Sequence, residues 1–425
     1  MGIIAIKQPD GKGAGRDPEL AGTVATIINR VRNGGEKALL ELTEKFDHVR
    51  LKTVSVNSGT VAEAYREVPA ETLKHLHLAA SRICAFAKEQ LKCLKPLHYK
   101  SDIPGLKLGH RLIPVERCGC YVPAGRHPLP SSALMSITTA RVAGVSHITA
   151  CSPPSPAYGG IDPVVLVAMD IAGADTIYCM GGAQAIAAYA YGAGPVVKTD
   201  LIAGPGNRYV TEAKRQVLGD VGIDSLAGPS EVLIIADETA NPRFIAIDLL
   251  SQAEHDPDAK PILVSTSADI IDRVQAEVEK LLATLPTGDT AVLSWNNNGA
   301  VYLAGTIADA VSLANEIAPE HLELQVARSK ERSVAGELKH YGSLFVGHYA
   351  PVAFGDFISG TNHILPTMST ARYTGGVWVG TFIKTAFHQY VSRAGCRALA
   401  PSAIYFAGIE GLPAHRDSVR FRVEE

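Results

Sequence analysis

At 425 residues the chain is long for one hydrophobic core, so two or more domains are expected. Hydrophobic residues at 46% and charged ones at 20% exclude disorder over most of the length, and a net charge of -3 with no Lys/Arg run leaves no footprint for nucleic acid. Seven scattered cysteines without a Cys-x-x-Cys argue against a disulfide framework or a thiolate metal knuckle; with a start too short for a signal segment and no apolar run of about 20 residues, a cytoplasmic protein with no membrane partner is expected.

Val24, Ile27, Ile28, Val31, Ala38, Leu39, Leu42 and Phe46 keep a helical spacing over 21–47, broken at Gly34-Gly35. A second long helix is predicted over 70–94, with Leu73, Leu76, Ala79, Ile83, Phe86 and Leu91 on its buried side. Residues 103–115 read as a hairpin. From Cys118 strands alternate with helices, the signature of a mostly parallel sheet: 147–151, 176–179, 201–203, 232–236 and 261–264 as strands, with helices over 131–142, 162–171, 181–191, 208–217 and 270–285. Gly181-Gly182, Gly204-Pro-Gly-Asn207 and neighbouring turns place backbone N–H groups where a pyrophosphate could sit. None is a G-x-G-x-x-G, and the same glycines serve equally well as plain turn residues.

Asn241-Pro242 reads as a helix start, and Phe244, Ile245, Ile247, Leu249 and Leu250 supply the helix's apolar side. Gln252 and His255 then fall on one face of its last turn, where unpaired carbonyls favour a cation. They are half of a metal site, or a polar helix end with a surface histidine. Further on, Ile307–Ala314 reads as a helix and Leu322–Val326 as an alternating strand. Glu320-His321 sit at the junction as adjacent acid and base candidates, or as an ordinary loop pair. A loop holding Asp356 and His363 follows, and after Gly375-Gly376 the chain is expected to end in helices carrying Glu410 and His415.

Eight segments in order resemble the histidinol dehydrogenase family. They are Tyr121-Val-Pro-Ala-Gly125 with 130–135, 181–186, 204–207 with 210–215, 227–232, Ser251-Gln-Ala-Glu-His255, Ala318-Pro-Glu-His-Leu-Glu-Leu324, Gly355-Asp356 with 361–363, and Glu410-Gly-Leu with His415. The resemblance implies an α/β fold of two Rossmann-like open parallel-sheet units with helices on both faces. A small helical C-terminal tail would be exchanged in a homodimer. The matching division is an arm at 1–20, a first α/β domain from 21–120 plus 234–377, a second with the nucleotide-binding turns at 121–233, and the tail at 378–425.

The same resemblance implies one zinc per subunit, held by Gln252, His255, Asp356 and His415, with Glu410 and His415 coming from the other subunit. It implies NAD contacts at Tyr121, Gln184 and Asn207. Ser230, Gln252, His255, His321, Asp356, His363, Glu410 and His415 would meet the substrate. The implied reaction oxidises a small polar primary alcohol through the aldehyde to the carboxylate, with His321 and Glu320 as the catalytic pair.

The chain departs from the pattern of biosynthetic histidinol enzymes after the Asn-His loop, where 373–385 read Tyr-Thr-Gly-Gly-Val-Trp-Val-Gly-Thr-Phe-Ile-Lys-Thr, and at Ala124. These changes resemble the branch that includes sulfopropanediol dehydrogenase, for which Arg126 or Lys384 would be added cations. A zinc hydrolase using Glu320 would be expected to carry an H-E-x-x-H helix, which is absent. A catalytically silent nucleotide-binding homologue would be expected to have lost Glu320, His321 or a ligand, and none is lost.

Overall fold

The computed structural model describes residues 2–9, 17–124 and 128–425; Arg126 lies outside them. Two sheets organise the chain. In the larger, the strands run in the order Ile3–Lys7, Ala300–Ala304, Lys260–Ser265, Glu231–Ala236, His321–Gln325, Ser343–Val346. All pairs are parallel except the first, where the N-terminal arm adds an antiparallel edge. The central strand Glu231–Ala236 is buried throughout, as expected of a run covered by helices on both faces.

The smaller sheet is wholly parallel, in the order Thr176–Cys179, His147–Ser152, Arg117–Tyr121, Leu201–Ala203, Gly222–Ile223. Each sheet has apolar clusters on both faces, which matches the expected α/β class.

The first long helix, Pro18–Asp47, starts where Asp17 accepts hydrogen bonds from the Glu19 and Leu20 N–H groups, with Pro18 in the first turn. It kinks at Gly35 (φ 56°, ψ -141°), so the Gly-Gly break is real. This helix packs on Gly182–Tyr191 and Arg208–Val217, and Ala70–Cys93 packs on Pro130–Ala143. The packing therefore departs from the expected grouping of 21–120 with 234–377, because 18–93 cover the smaller sheet. Apolar spacing shows that a helix has a buried face and cannot show which sheet it meets.

Four helices escape the periodicity, among them Val352–Phe357, which carries Asp356 where a loop was expected. Ser58–Glu67 and Arg328–Glu337 each bury one residue, Ala64 and Val334, and Gly288–Asn298 ends in three consecutive asparagines. Phe86 and Ile247, expected on buried faces, are exposed. The tail is not all helix: Ile383–Val391 is a strand along the whole of Leu106–Pro114, whose other side pairs with Leu97–Lys100. It precedes the helices Arg393–Ile409 and Pro413–Glu424. Among the described residues no helix is long and apolar enough to cross a membrane.

Gly35 has open space around its missing side chain, the nearest atom being 3.8 Å from a built Cβ, so only its backbone angles demand glycine. Gly35→Ala should lower unfolding stability in urea by about 1–3 kcal/mol. Gly22→Ala, in the same helix with no atom within 4 Å, should be neutral or mildly stabilising.

Candidate active site

In a parallel sheet a helix that follows a strand returns its C-terminus to the edge where the strands begin. The helix Pro242–Ala253 does this, bringing Gln252 and His255 toward the edge where Glu231 and His321 open their strands. Asp356 lies in the short helix Val352–Phe357, which follows the edge strand Ser343–Val346. The smaller sheet contributes from its opposite edge, where strands end: His363 Nε2 is 3.3 Å from Ser132 Oγ, on the helix that follows Tyr121.

Glu320 and His321 are 6% and 4% exposed. The Glu231 N–H donates to Glu320 Oε2 (2.9 Å), and His321 Nδ1 lies 3.1 Å from the Glu231 carbonyl. A carbonyl only accepts, so Nδ1 carries the proton and the neutral ring keeps its lone pair on Nε2. Nε2 is buried without a hydrogen-bond partner among the described residues, 3.6 Å from Asp356 Oδ1. Burial would push the imidazolium down, but Glu320 and Asp356 outweigh it and raise His321 to about 9. Burial raises Glu320 to about 7, against the lowering effects of His321 and the Glu231 N–H. Burial also works upward on Asp356, yet His321, His363 and His255 hold its carboxyl below the usual range.

The remaining expected site residues divide. Gln252 is buried and His255 exposed at the helix end, with His255 near enough to Asp356 for its charge to act there. His363 donates Nδ1–H to the Asp356 carbonyl (2.9 Å), and burial lowers its pKa. Ser230 is half-buried just before Glu231. Glu410, in the turn that caps Arg393–Ile409, and His415, on Pro413–Glu424, are exposed, and no hydrogen bond or ion pair ties their side chains to the others among the described residues. No group of three His, Cys, Asp or Glu among the described residues is close enough to hold a metal.

In the smaller sheet the chain steps outward from Arg117–Tyr121 first to one side and then to the other, and the crevice at that reversal is where α/β sheets bind ligands. Tyr121 ends the first strand with its hydroxyl accepting from the Gly182 N–H (3.2 Å), where the helix Gly182–Tyr191 begins. Gln184, also buried, folds its amide against Gly182, where a Cβ would stand 2.7 Å from Oε1. Asn207 is exposed; its Oδ1 caps Arg208–Val217 by accepting from the Tyr209 and Val210 N–H groups, which leaves its NH2 free of that role. Gly204 (φ 121°) packs so close that a Cβ would be 2.0 Å from the Tyr121 carbonyl oxygen.

Sequence reasoning missed Glu231 and the pair Lys214–Asp224. Glu231 holds both catalytic candidates through its backbone, while its carboxylate takes Lys260 Nζ (2.8 Å) and the Met368 N–H (3.2 Å). A glutamate opening the apolar run Val-Leu-Ile-Ile-Ala was the available signal. Lys214 Nζ reaches Asp224 and the Gly204 carbonyl (both 2.5 Å), and Asp224 accepts from the Gly204 N–H (2.8 Å). This nearly buried pair fixes the glycine turn beside Tyr121.

Groups that can take and hold protons sit on one sheet, and glycine turns border the crevice of the other. The histidinol dehydrogenase family model matches residues 12–423. "Histidinol dehydrogenase 1" of Trichormus variabilis is 43% identical over 96% of this chain and 93% of its own length. A "histidinol dehydrogenase homolog" of Shouchella clausii is 40% identical over 95% and 94%. The crystal structure of histidinol dehydrogenase from Elizabethkingia anophelis superposes with a TM-score of 0.91 at 36% identity, covering 98% of this chain and 94% of that one. The chain belongs to the histidinol dehydrogenase family, NAD-dependent oxidoreductases acting on a CH–OH group.

Lys214→Met leaves the buried Asp224 without its cation. It should cost about 3–5 kcal/mol of stability, read from the urea midpoint at unchanged slope.

Proposed function

We propose that the protein oxidises histidinol through the aldehyde to the carboxylate, using two NAD in turn and one zinc per subunit. The observation that carries the reading is His321: its Nδ1 is committed to the Glu231 carbonyl while Nε2 stays buried and unpartnered among the described residues, able to take a substrate proton whenever the ring is neutral. The histidinol dehydrogenase names of relatives spanning nearly the full length favour this alcohol over a sulfonated one. Lys384 adds no case for the sulfonate, being exposed on the strand Ile383–Val391.

In the first oxidation His321 Nε2 takes the hydroxyl proton as hydride leaves the carbon. In the second, the Glu320 carboxylate takes a proton from the water that adds to the aldehyde; one of its oxygens is already held by the Glu231 N–H, leaving the other for that water. NAD, when bound, accepts the hydride, and Tyr121, Gln184 and Asn207 are placed along the crevice that would take it.

The donor chemistry fits zinc: Gln252 supplies an amide oxygen, His255 an imidazole, and Asp356 a carboxylate kept ionised. These three would hold the ion with His415 of a second copy, and its role when bound is to orient the substrate. Support for a dimer comes from the tail, where Tyr405, Phe406, Ile409 and Phe421 are all more than half exposed. His363, Ser230 and Glu410 complete the substrate contacts in this reading.

Turnover should fall about a hundredfold or more in His321→Asn with zinc content unchanged; equal activity would remove His321 from the chemistry. In the metal-free protein the His321 ring should titrate near 9 by NMR, and in Glu320→Gln at lower pH, because a carboxylate that favours the imidazolium is gone. Since only the neutral ring accepts a proton, it gains base strength as pH rises through that value. Mixing His415→Ala chains with His321→Asn chains should restore NADH formation from histidinol if sites are shared, and no recovery would count against exchange.

A further inference from the structure

We propose that half-buried Asp248 and buried Glu323, bridged by Gln325, form a clasp that fixes Gln252 relative to Asp356, which makes both acids positioning residues for the cation site; this rests on the zinc reading above. Asp248 lies one turn before Gln252 on the helix Pro242–Ala253 and so shares its face. Glu323 lies two residues after His321, and side chains two apart emerge on the same face of a strand. Its Oε1 accepts from the N–H of Val352 (3.2 Å), the first residue of the helix that carries Asp356 one turn later. Gln325 Nε2 donates to Glu323 Oε2 (2.9 Å) and to Asp248 Oδ2 (3.3 Å). The segments bearing Gln252, His321 and Asp356 therefore meet at one point.

None of these three polar side chains is used by the proposed chemistry. Gln325 brings the two carboxyls to one amide, and burial raises Asp248 to about 6 and Glu323 to about 8, which favours the neutral acid. With one acid neutral, each can bond the other, so the pair joins the helix to the strand. Gln325 makes both of its bonds while its own Oε1 stays buried without a partner, a cost that mere filling of the space would not require. Groups that hold a ligand's backbone in this way act on affinity without touching the ion.

The test compares Asp248→Ala, Glu323→Ala and Asp248→Asn, whose amide N–H can still donate to Glu323. Zinc affinity is read by competition with a chromophoric chelator, amide exchange across 350–358 is read in the metal-free protein, and NAD binding serves as the control on the other sheet. Both alanine variants should weaken zinc about tenfold or more and speed exchange at Val352–Phe357, with NAD binding unchanged, while Asp248→Asn stays close to the parent in both. Should Asp248→Ala not fold, Asp248→Leu removes the bridge without opening a large cavity and is read the same way. Unchanged zinc affinity and exchange in the alanine or leucine variants overturns the clasp, as does Asp248→Asn behaving like Asp248→Ala. A parent protein that binds no zinc sinks the zinc reading instead, and the exchange data then judge the clasp alone.

Discussion

The site depends on one imidazole held between two carboxyls. His321 is fixed by a backbone carbonyl on one side and faces Asp356 on the other, with Glu320 3.6 Å from its Nδ1. Burial would make such a ring neutral, and the flanking acids make it basic instead. This balance needs Glu320 and Asp356 in place, so the elements carrying them cannot shift independently. Glu231 enforces that order through its N–H to Glu320 and its carbonyl to His321, and its side chain ties both to Lys260 and Met368.

The second constraint is topological. The two parallel sheets use opposite edges, the smaller where its strands end and the larger where its strands begin. Ser132 and His363 are hydrogen-bonded across that meeting line, and Asn362 adds bonds from its amide to the Met135 carbonyl and Thr139 Oγ1.

Much of this was legible in the sequence. Asn241-Pro242 and Gly34-Gly35 announced a cap and a break because each acts through local backbone chemistry, and the buried strands showed as apolar runs between turns. Glu320, His321, Gln252 and Asp356 were visible through the family resemblance, and the structure brings Asp356 to His321. What stayed hidden depends on distant partners. Helices that bury one residue leave no periodic trace, and the strand Ile383–Val391 is mostly exposed. Asp248 and Gln325 are 77 residues apart and meet only in the fold. Glu410 and His415 remain on exposed helices in a single chain, where nothing in their own surroundings marks them as functional.

The cluster of Glu320, His321 and Glu231 lies at the rim where the larger sheet's strands start, opposite the rim where α/β sheets usually bind ligands. That rim is closed by Asp237, whose carboxylate takes Thr239, the Ala327 N–H and Lys330. Loops there lie a strand's length from Glu320 and His321. The architecture thus carries a second frontier, set apart from the working face.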